Sequence, residues 1–398
     1  MATTLSKLMS QFSASPTAAL MARVAALREQ GKTIISLNIG EPDFPTPDNI
    51  KEAGIKAIND DFTKYTPVAG ILPLRQAIAK KLSRDNHIDY DVSEIAVSVG
   101  AKQAIVSAVM AIAGEGDEII VPTPCYVSYP DIIKMAFASP VMVPLTKDTC
   151  QLDIEAIEKA ITKRTKAIII CTPNNPTGTA FDEASLRELA RIALAYDLFV
   201  ITDEIYEKLT YYNFRHVSIA SLSKDMKDHT ITINGFSKTY AMTGWRLGYV
   251  AARQDVIKAI IAIESQVTTA PASMVQMAGI EALEGPQDAV SEMVKEYEKR
   301  MIYCRDRLRA IPGVTCMEAQ GAFYLFPDIS HYIGTRYKNY FIENDSDLCN
   351  YILETQYVCC VPGSVFYGPG HIRISYSRSL EELKQAMDGI EKALSLLK

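Results

Sequence analysis

The chain has little of what marks several common protein classes. Its 8 cysteines are scattered over 398 residues with no Cys-x-x-Cys pair. The closest two, Cys359 and Cys360, are adjacent, which disfavours a disulfide framework. Reduced thiols in a cytoplasmic protein are the expectation. Histidine is scarce, 5 residues far apart in sequence, and HExxH is absent, so no metal is expected. No apolar run is long enough to span a membrane, and residues 1–30 lack the apolar core of a secretory signal. There is no Lys/Arg-dense block and the formal net charge is −6, which excludes nucleic acid as an expected partner. Neither GxGxxG nor a Walker A pattern occurs, which removes the usual nucleotide sites. Repeats, low-complexity tracts and long linkers are missing as well. Gly235-Phe236-Ser237 starts like a hydrolase nucleophile elbow but reaches Thr239 where a glycine is required. Ser221-Leu222-Ser223-Lys224 matches S-x-x-K without the motifs that accompany it.

What is present is an ordinary globular balance, 48% hydrophobic and 22% charged, in a chain long enough for two or three domains. Periodicity predicts a helix within residues 5–30, started after Ser15-Pro16 and stopped at Gly31. A short strand (Ile34, Ile35, Leu37) then enters the proline-rich loop 38–47. Helices are predicted over 49–59, from Pro73, and over 103–113, 185–196, 254–266, 273–283 and 287–309. Buried strands are predicted over 95–99, 118–121, 167–171, 198–202, 231–233 and 249–251. A smaller α+β region follows, with strands over 323–326, 358–362 and within 371–376, a helix over 345–355, and a last helix to Leu397.

The chain is organised around Thr230–Tyr249, where a loop between two strands carries Lys238 and, eight residues on, Arg246. A lysine on a rigid turn sheds hydration, loses basicity and can attack a carbonyl. Arg246 offers a planar fork suited to phosphate. A Schiff-base lysine beside a phosphate clamp suggests pyridoxal phosphate; a solvated loop lysine is the plainer account. Strand, then Gly100-Ala101-Lys102 as a tight turn, then helix is a geometry that points backbone N–H groups at phosphate. Tyr126, at a strand end, can stack on a flat ring or simply pack in the core. Asn174-Asn175-Pro176-Thr177-Gly178 directly follows a strand, where α/β sheets place ligands. Asp203 closes a buried strand and needs a partner, a pyridinium N–H or the N–H groups of a helix start. Tyr206 follows three residues later, within reach of a ring oxygen. In His371–Tyr376, alternation faces Arg373 away from Ile372 and Ile374, and a buried arginine requires an anion. That anion is a substrate carboxylate or an internal acid. Gly40 lets backbone approach a ligand closely. Tyr65, in a turn before a helix, reads by itself as a packing residue.

From about residue 5 to the C-terminus these segments, in this order, resemble the class I/II aminotransferases, the fold-type I pyridoxal phosphate enzymes. The subgroup most similar is the prokaryotic-type aspartate aminotransferases. The resemblance implies an α/β fold, a large domain with a mostly parallel seven-stranded sheet flanked by helices, and a small α+β domain. Its implied division is 1–45 as arm and part of the small domain, 46–285 as cofactor domain and 286–398 as small domain. It implies Lys238, Asp203 and Tyr206 as catalytic residues. Cofactor contacts fall on Gly100, Ala101, Lys102, Tyr126, Asn175, Ser237 and Arg246, with Tyr65 reaching the phosphate of a neighbouring subunit. Substrate contacts fall on Gly40, Asn175 and Arg373. The implied activity is ping-pong transfer of an amino group from an L-amino acid, aspartate first, to 2-oxoglutarate, in a homodimer with shared sites. Aromatic, alanine or branched-chain donors and a C–S β-lyase on the same fold stay open. A non-catalytic binding module is disfavoured by an intact Lys238, Asp203 and Arg373.

Overall fold

The computed structural model describes residue 9 and residues 16–398. The first helix occupies Pro16–Glu29. Apart from Met9, residues 1–15 of the expected N-terminal arm lie outside the described residues. A two-residue strand, β1 (Ile35–Ser36), leads into the proline-rich loop.

Seven strands build the central sheet: β2 (Ile95–Ser98), β3 (Glu118–Thr123), β4 (Ser139–Pro144), β5 (Thr165–Cys171), β6 (Phe199–Asp203), β7 (Thr230–Gly235) and β8 (Gly248–Ala251). Their spatial order is β2-β8-β7-β6-β5-β3-β4. Only β8 runs antiparallel to its neighbours. The inner strands are buried on both faces because helices cover both sides, as a parallel sheet requires; most are apolar runs, and in β7 Thr230 and Thr232 alternate with Ile231 and Ile233, all buried. In β5, Ile168 and Ile170 pack with one core and Ala167 and Ile169 with the other. The carboxyl ends of β5, β6 and β7 open on one side, at Thr172, Asp203 and Gly235.

The remaining strands are short: β9 (Tyr324–Leu325), β10 (Arg336–Tyr337), β11 (Tyr340–Phe341), β12 (Val358–Cys359), β13 (Val361–Pro362) and β14 (Ile372–Ser375). β14 lies between β13 and β9, both antiparallel, while β1 pairs in parallel with β12. Helix Asp288–Arg309 buries Met293, Tyr297, Met301, Cys304 and Leu308, a stripe at the helical period. No helix among the described residues is long and apolar enough to cross a membrane.

Three expectations need correction. Gly100-Ala101-Lys102 is not a turn ahead of the helix. Gly100, at φ +79°, makes the whole turn by itself, and the helix starts at Ala101 (Ala101–Ile112). The strand expected over 358–362 breaks at Cys360 into β12 and β13, which pair in different sheets. β4 and the helices Tyr129–Met135, Ile154–Ala160 and Lys224–His229 were not foreseen. β4 carries Pro140 and Pro144, which weaken a strand signal and are tolerated because it is the sheet's edge.

Candidate active site

At the carboxyl ends of β5, β6 and β7 lies a cavity of roughly 370 Å³. Its wall gathers Gly40, Ala101, Lys102, Tyr126, Asn175, Asp203, Tyr206, Ser237, Lys238, Arg246 and Arg373 from distant parts of the chain. Two residues singled out by sequence are not on this wall. Gly100 stands directly behind it, under Arg246. Tyr65 is 97% exposed, beside Thr268–Met274.

Lys238 follows β7 on a buried loop, and its ammonium donates to the Gly40 carbonyl at 2.5 Å. Burial, with Arg373 and Arg246 nearby, lowers it to about 8, against an opposing pull from Glu41 and Asp203. Asp203 ends β6, 5% exposed. Burial raises its carboxyl to about 6; the Tyr129 hydroxyl, donating at 2.8 Å, and the Ile205 N–H, at 3.3 Å, only partly offset this. Asp203 is no helix N-cap: no helix follows it.

Arg373 sits in β14, 7% exposed. One guanidinium nitrogen donates to the Asn175 side-chain oxygen at 3.0 Å and another to the Asn38 carbonyl at 2.8 Å. The rings of Tyr324 and Phe366 flank it, 4.5 and 4.7 Å away, and its Nε is buried without a partner. Arg246 takes a left-handed backbone (φ +59°) and donates to the Thr243 carbonyl at 2.9 Å. Gly100, at φ +79°, holds a backbone conformation that side chains strain, and a Cβ there would also push the Arg246 guanidinium aside. The helix beginning at Ala101 has no side-chain cap, which leaves its first N–H groups available to an anion. Tyr126 packs edge-on against Tyr129, and the Lys102 ammonium lies 5.5 Å from the centre of its ring.

Two contributors escaped the sequence. Tyr129 supplies the hydrogen bond to Asp203, and Tyr324 meets the Tyr206 hydroxyl at 3.0 Å. Just past β6, the buried Glu204 and Glu207 and the partly buried His216 form the one acid–histidine cluster of potential metal ligands among the described residues. Lys81 already serves it as the cation, paired with Glu207.

A family model described as aminotransferase class I and II matches residues 32–390. The aspartate aminotransferase of Geobacillus stearothermophilus is 42% identical over 392 residues, 98% of each chain. A probable aspartate/prephenate aminotransferase of Rickettsia conorii is also 42% identical, again over 98% of both chains. The crystal structure of the aspartate aminotransferase from Rhizobium meliloti superposes with a TM-score of 0.97 at 38% identity, covering 100% of both chains.

Proposed function

Because the chain belongs to the class I and II aminotransferases and moves amino groups between amino acids and 2-oxo acids, we propose that its cavity holds pyridoxal phosphate and that aspartate and 2-oxoglutarate are its preferred pair. The observation that carries this is a charge imbalance. Lys102, Lys238, Arg246 and Arg373 all face one cavity. Among the described residues, none of them has a carboxylate within ion-pair distance. A phosphate and a dicarboxylic substrate supply the missing anions.

The donor set fits the cofactor. Arg246, Ser237 and the uncapped helix start at Ala101 suit its phosphate. Asp203, a buried carboxyl held by the Tyr129 hydroxyl and the Ile205 N–H with no cation among its hydrogen-bond partners in the described residues, suits a protonated ring nitrogen. Asn175 and Tyr206 offer hydrogen bonds to the ring oxygen, and Tyr126 a face for the ring. Bound there, the cofactor would act as the electron sink for the bond broken at the substrate Cα. Lys238 is its covalent anchor and, once released, the base that takes the Cα proton and the acid that returns it. At about 8, a useful fraction of it is free amine near neutral pH. Arg373 grips the α-carboxylate, and Asn175 holds the guanidinium plane in place. Asp203 keeps negative charge where the sink needs it, and the Tyr129 hydroxyl orients that carboxylate. Lys102, on the rim, is the cation left for a distal carboxylate.

The proposal includes a homodimer with shared sites. Its support is the apolar surface near Tyr65, where Ile55, Ile58, Phe62 and Val267 are exposed. A twofold partner would cover this face and bring Tyr65 to the other cavity. The domain division 1–45, 46–285 and 286–398 belongs to the same reading, all seven strands of the large sheet falling in the second part. Eight unpaired, buried thiols suit a reducing cytoplasm. The test is a screen of amino donors against 2-oxoglutarate with product analysis. Aspartate should give the highest kcat/KM, with keto acid and glutamate in equal amounts. A better aromatic, alanine or branched-chain donor overturns the substrate assignment. Ammonia and pyruvate from a thioether amino acid, without glutamate, overturn the transfer reaction in favour of a lyase.

A further inference from the structure

One short segment, residues 38–43, is tied to both working groups of the cavity. The Asn38 carbonyl accepts from Arg373 at 2.8 Å, and the Gly40 carbonyl accepts from Lys238 at 2.5 Å. The Glu41 carbonyl accepts from the Ser377 hydroxyl, and its carboxylate from Thr243 at 3.1 Å. At its far end the Asp43 carboxylate receives Nη1 of Arg300, 2.9 and 2.8 Å from its two oxygens, with the Tyr297 hydroxyl at 3.2 Å. Arg300 lies in the middle of helix Asp288–Arg309 and is 6% exposed. Its Nε engages a second acid, Glu296, at 3.1 Å, and its guanidinium lies 5.1 Å from the centre of the Phe44 ring.

This arrangement is costly for a merely structural joint. Arg300 is buried while the side chains of Asp43 and Glu296 stay 19% and 32% exposed, and a partly desolvated ion pair of this kind gives little stability over a well-packed apolar contact of the same size. What it gives instead is a fixed distance. The planar guanidinium spans Asp43 and Glu296 at once, which a lysine ammonium cannot do with the same geometry. Helix Asp288–Arg309 thereby fixes the end of a segment whose carbonyls hold Lys238 and Arg373. At Gly40 the backbone stands close to the small sheet: a Cβ there would lie 2.8 Å from the Tyr324 hydroxyl.

We propose that Arg300, acting through Asp43, is a positioning residue for the transfer reaction. It touches neither substrate nor cofactor; it sets where the Lys238 amine rests and how the Arg373 fork is presented. The inference rests on the roles given above to Lys238 and Arg373.

The test compares wild type with Arg300→Met, Arg300→Lys and Asp43→Asn, each as holoenzyme. Three quantities are read: the Kd of succinate from the absorption change of the bound cofactor, the kcat and KM for aspartate, and the fraction of cofactor fixed on Lys238 by borohydride. Each variant should weaken succinate and lower kcat by about tenfold to a hundredfold, the effect of misplacing a reacting group by around 1 Å. Borohydride should still fix a full complement of cofactor on Lys238. Asp43→Asn combined with Arg300→Met should lose no more than the worse single change, because both break one contact. Arg300→Lys and Asp43→Asn decide the matter if Arg300→Met does not fold. A lower melting temperature with unchanged succinate affinity, KM and kcat overturns the proposal, as do losses that multiply in the double variant. A wild type that takes no label on Lys238 overturns the reading of the cavity and this inference with it, whereas labelled wild type with unaffected variants overturns this inference alone.

Discussion

Glu264 is a buried acid that the proposed reaction does not use, and its removal should change how stability depends on pH. It lies in helix Gln254–Val267 where that helix packs on Ala101–Ile112, and it is 1% exposed. Its Oε1 has no hydrogen-bond partner. Burial pushes the carboxyl from 4.5 up to about 8, with only the Ser107 hydroxyl pulling the other way. Between those values the folded protein keeps the proton and the unfolded chain does not. Stability from this group is therefore full below 4.5 and is lost as pH rises through about 8. Each pH unit in that interval is worth about 1.4 kcal/mol, so the loss reaches roughly 3 kcal/mol at pH 7 and roughly 5 at its end. Glu264→Gln keeps the shape and cannot ionise. Its amide adds a donor that costs about 1–2 kcal/mol if it stays unpaired, at every pH. The variant should equal or fall below wild type at pH 5 and exceed it by roughly 2–4 kcal/mol at pH 8. For a chain of this length that corresponds to about 1 °C of melting temperature per kcal/mol. Calorimetric scans of both proteins from pH 5 to 8.5, at one fixed cofactor concentration, give the answer. All other groups titrate alike in the two, so the difference between the curves isolates residue 264. Curves that run parallel through this range would refute the assignment of a buried, protonated Glu264.

Three further outcomes are expected. Borohydride reduction of the protein as purified, followed by digestion, should place the cofactor on Lys238, and Lys238→Ala should fold but show no turnover; label on another lysine would sink the assignment. Asp203→Ala should retain some cofactor but lose about 10²–10³ in kcat, the cost of removing one oriented charge from a site; near-normal kcat counts against its role. Lys238→Ala mixed with Tyr65→Phe should regain activity after subunit exchange, since one site of the mixed dimer then has every group. No gain after confirmed exchange rejects shared sites.

The central sheet was legible because its inner strands are what a doubly covered sheet demands. β5 and β6 are runs of apolar and β-branched residues and β7 a buried run of β-branched Thr and Ile, each closed by a turn signal or a polar residue. That argument weakens wherever a strand is covered on one side or paired at one edge. β4 shows this: Ser139, Pro140 and Pro144 read as loop, and only the parallel pairing with β3 makes them strand. The same holds for β12 and β13, two residues each, whose separation at Cys360 depends on which neighbour each finds, β1 in one sheet and β14 in another. Short pairings of this kind are decided by tertiary context and leave no periodicity to read. The start of the helix at Ala101 was missed for a different reason. A positive φ at Gly100 can end a loop in one residue, and sequence shows only that glycine permits it.

In the cavity, residues that announce a need were legible and residues that answer it were not. A carboxylate at the end of a buried strand, or an arginine within one, is costly enough alone to be noticed. What completes it comes from wherever the fold returns. Tyr129 reaches Asp203 across 74 positions and two intervening strands of the chain, β4 and β5. Tyr324 reaches Tyr206 across 118, and Arg300 reaches Asp43 across 257. Nothing in the local sequence of a tyrosine tells a core residue from one whose hydroxyl is aimed, because in both cases the ring is buried for its area and only the last atom differs. Arg300 is the harder instance. It stands on a helix rich in charged residues, where an arginine at any one position reads as a solvated side chain. Its burial follows from the loop that folds over it, and that loop is placed by Asp43, the very residue Arg300 holds. The pair becomes visible only when both ends of the chain are in place, which is also why a group far from the reacting atoms can govern where they rest.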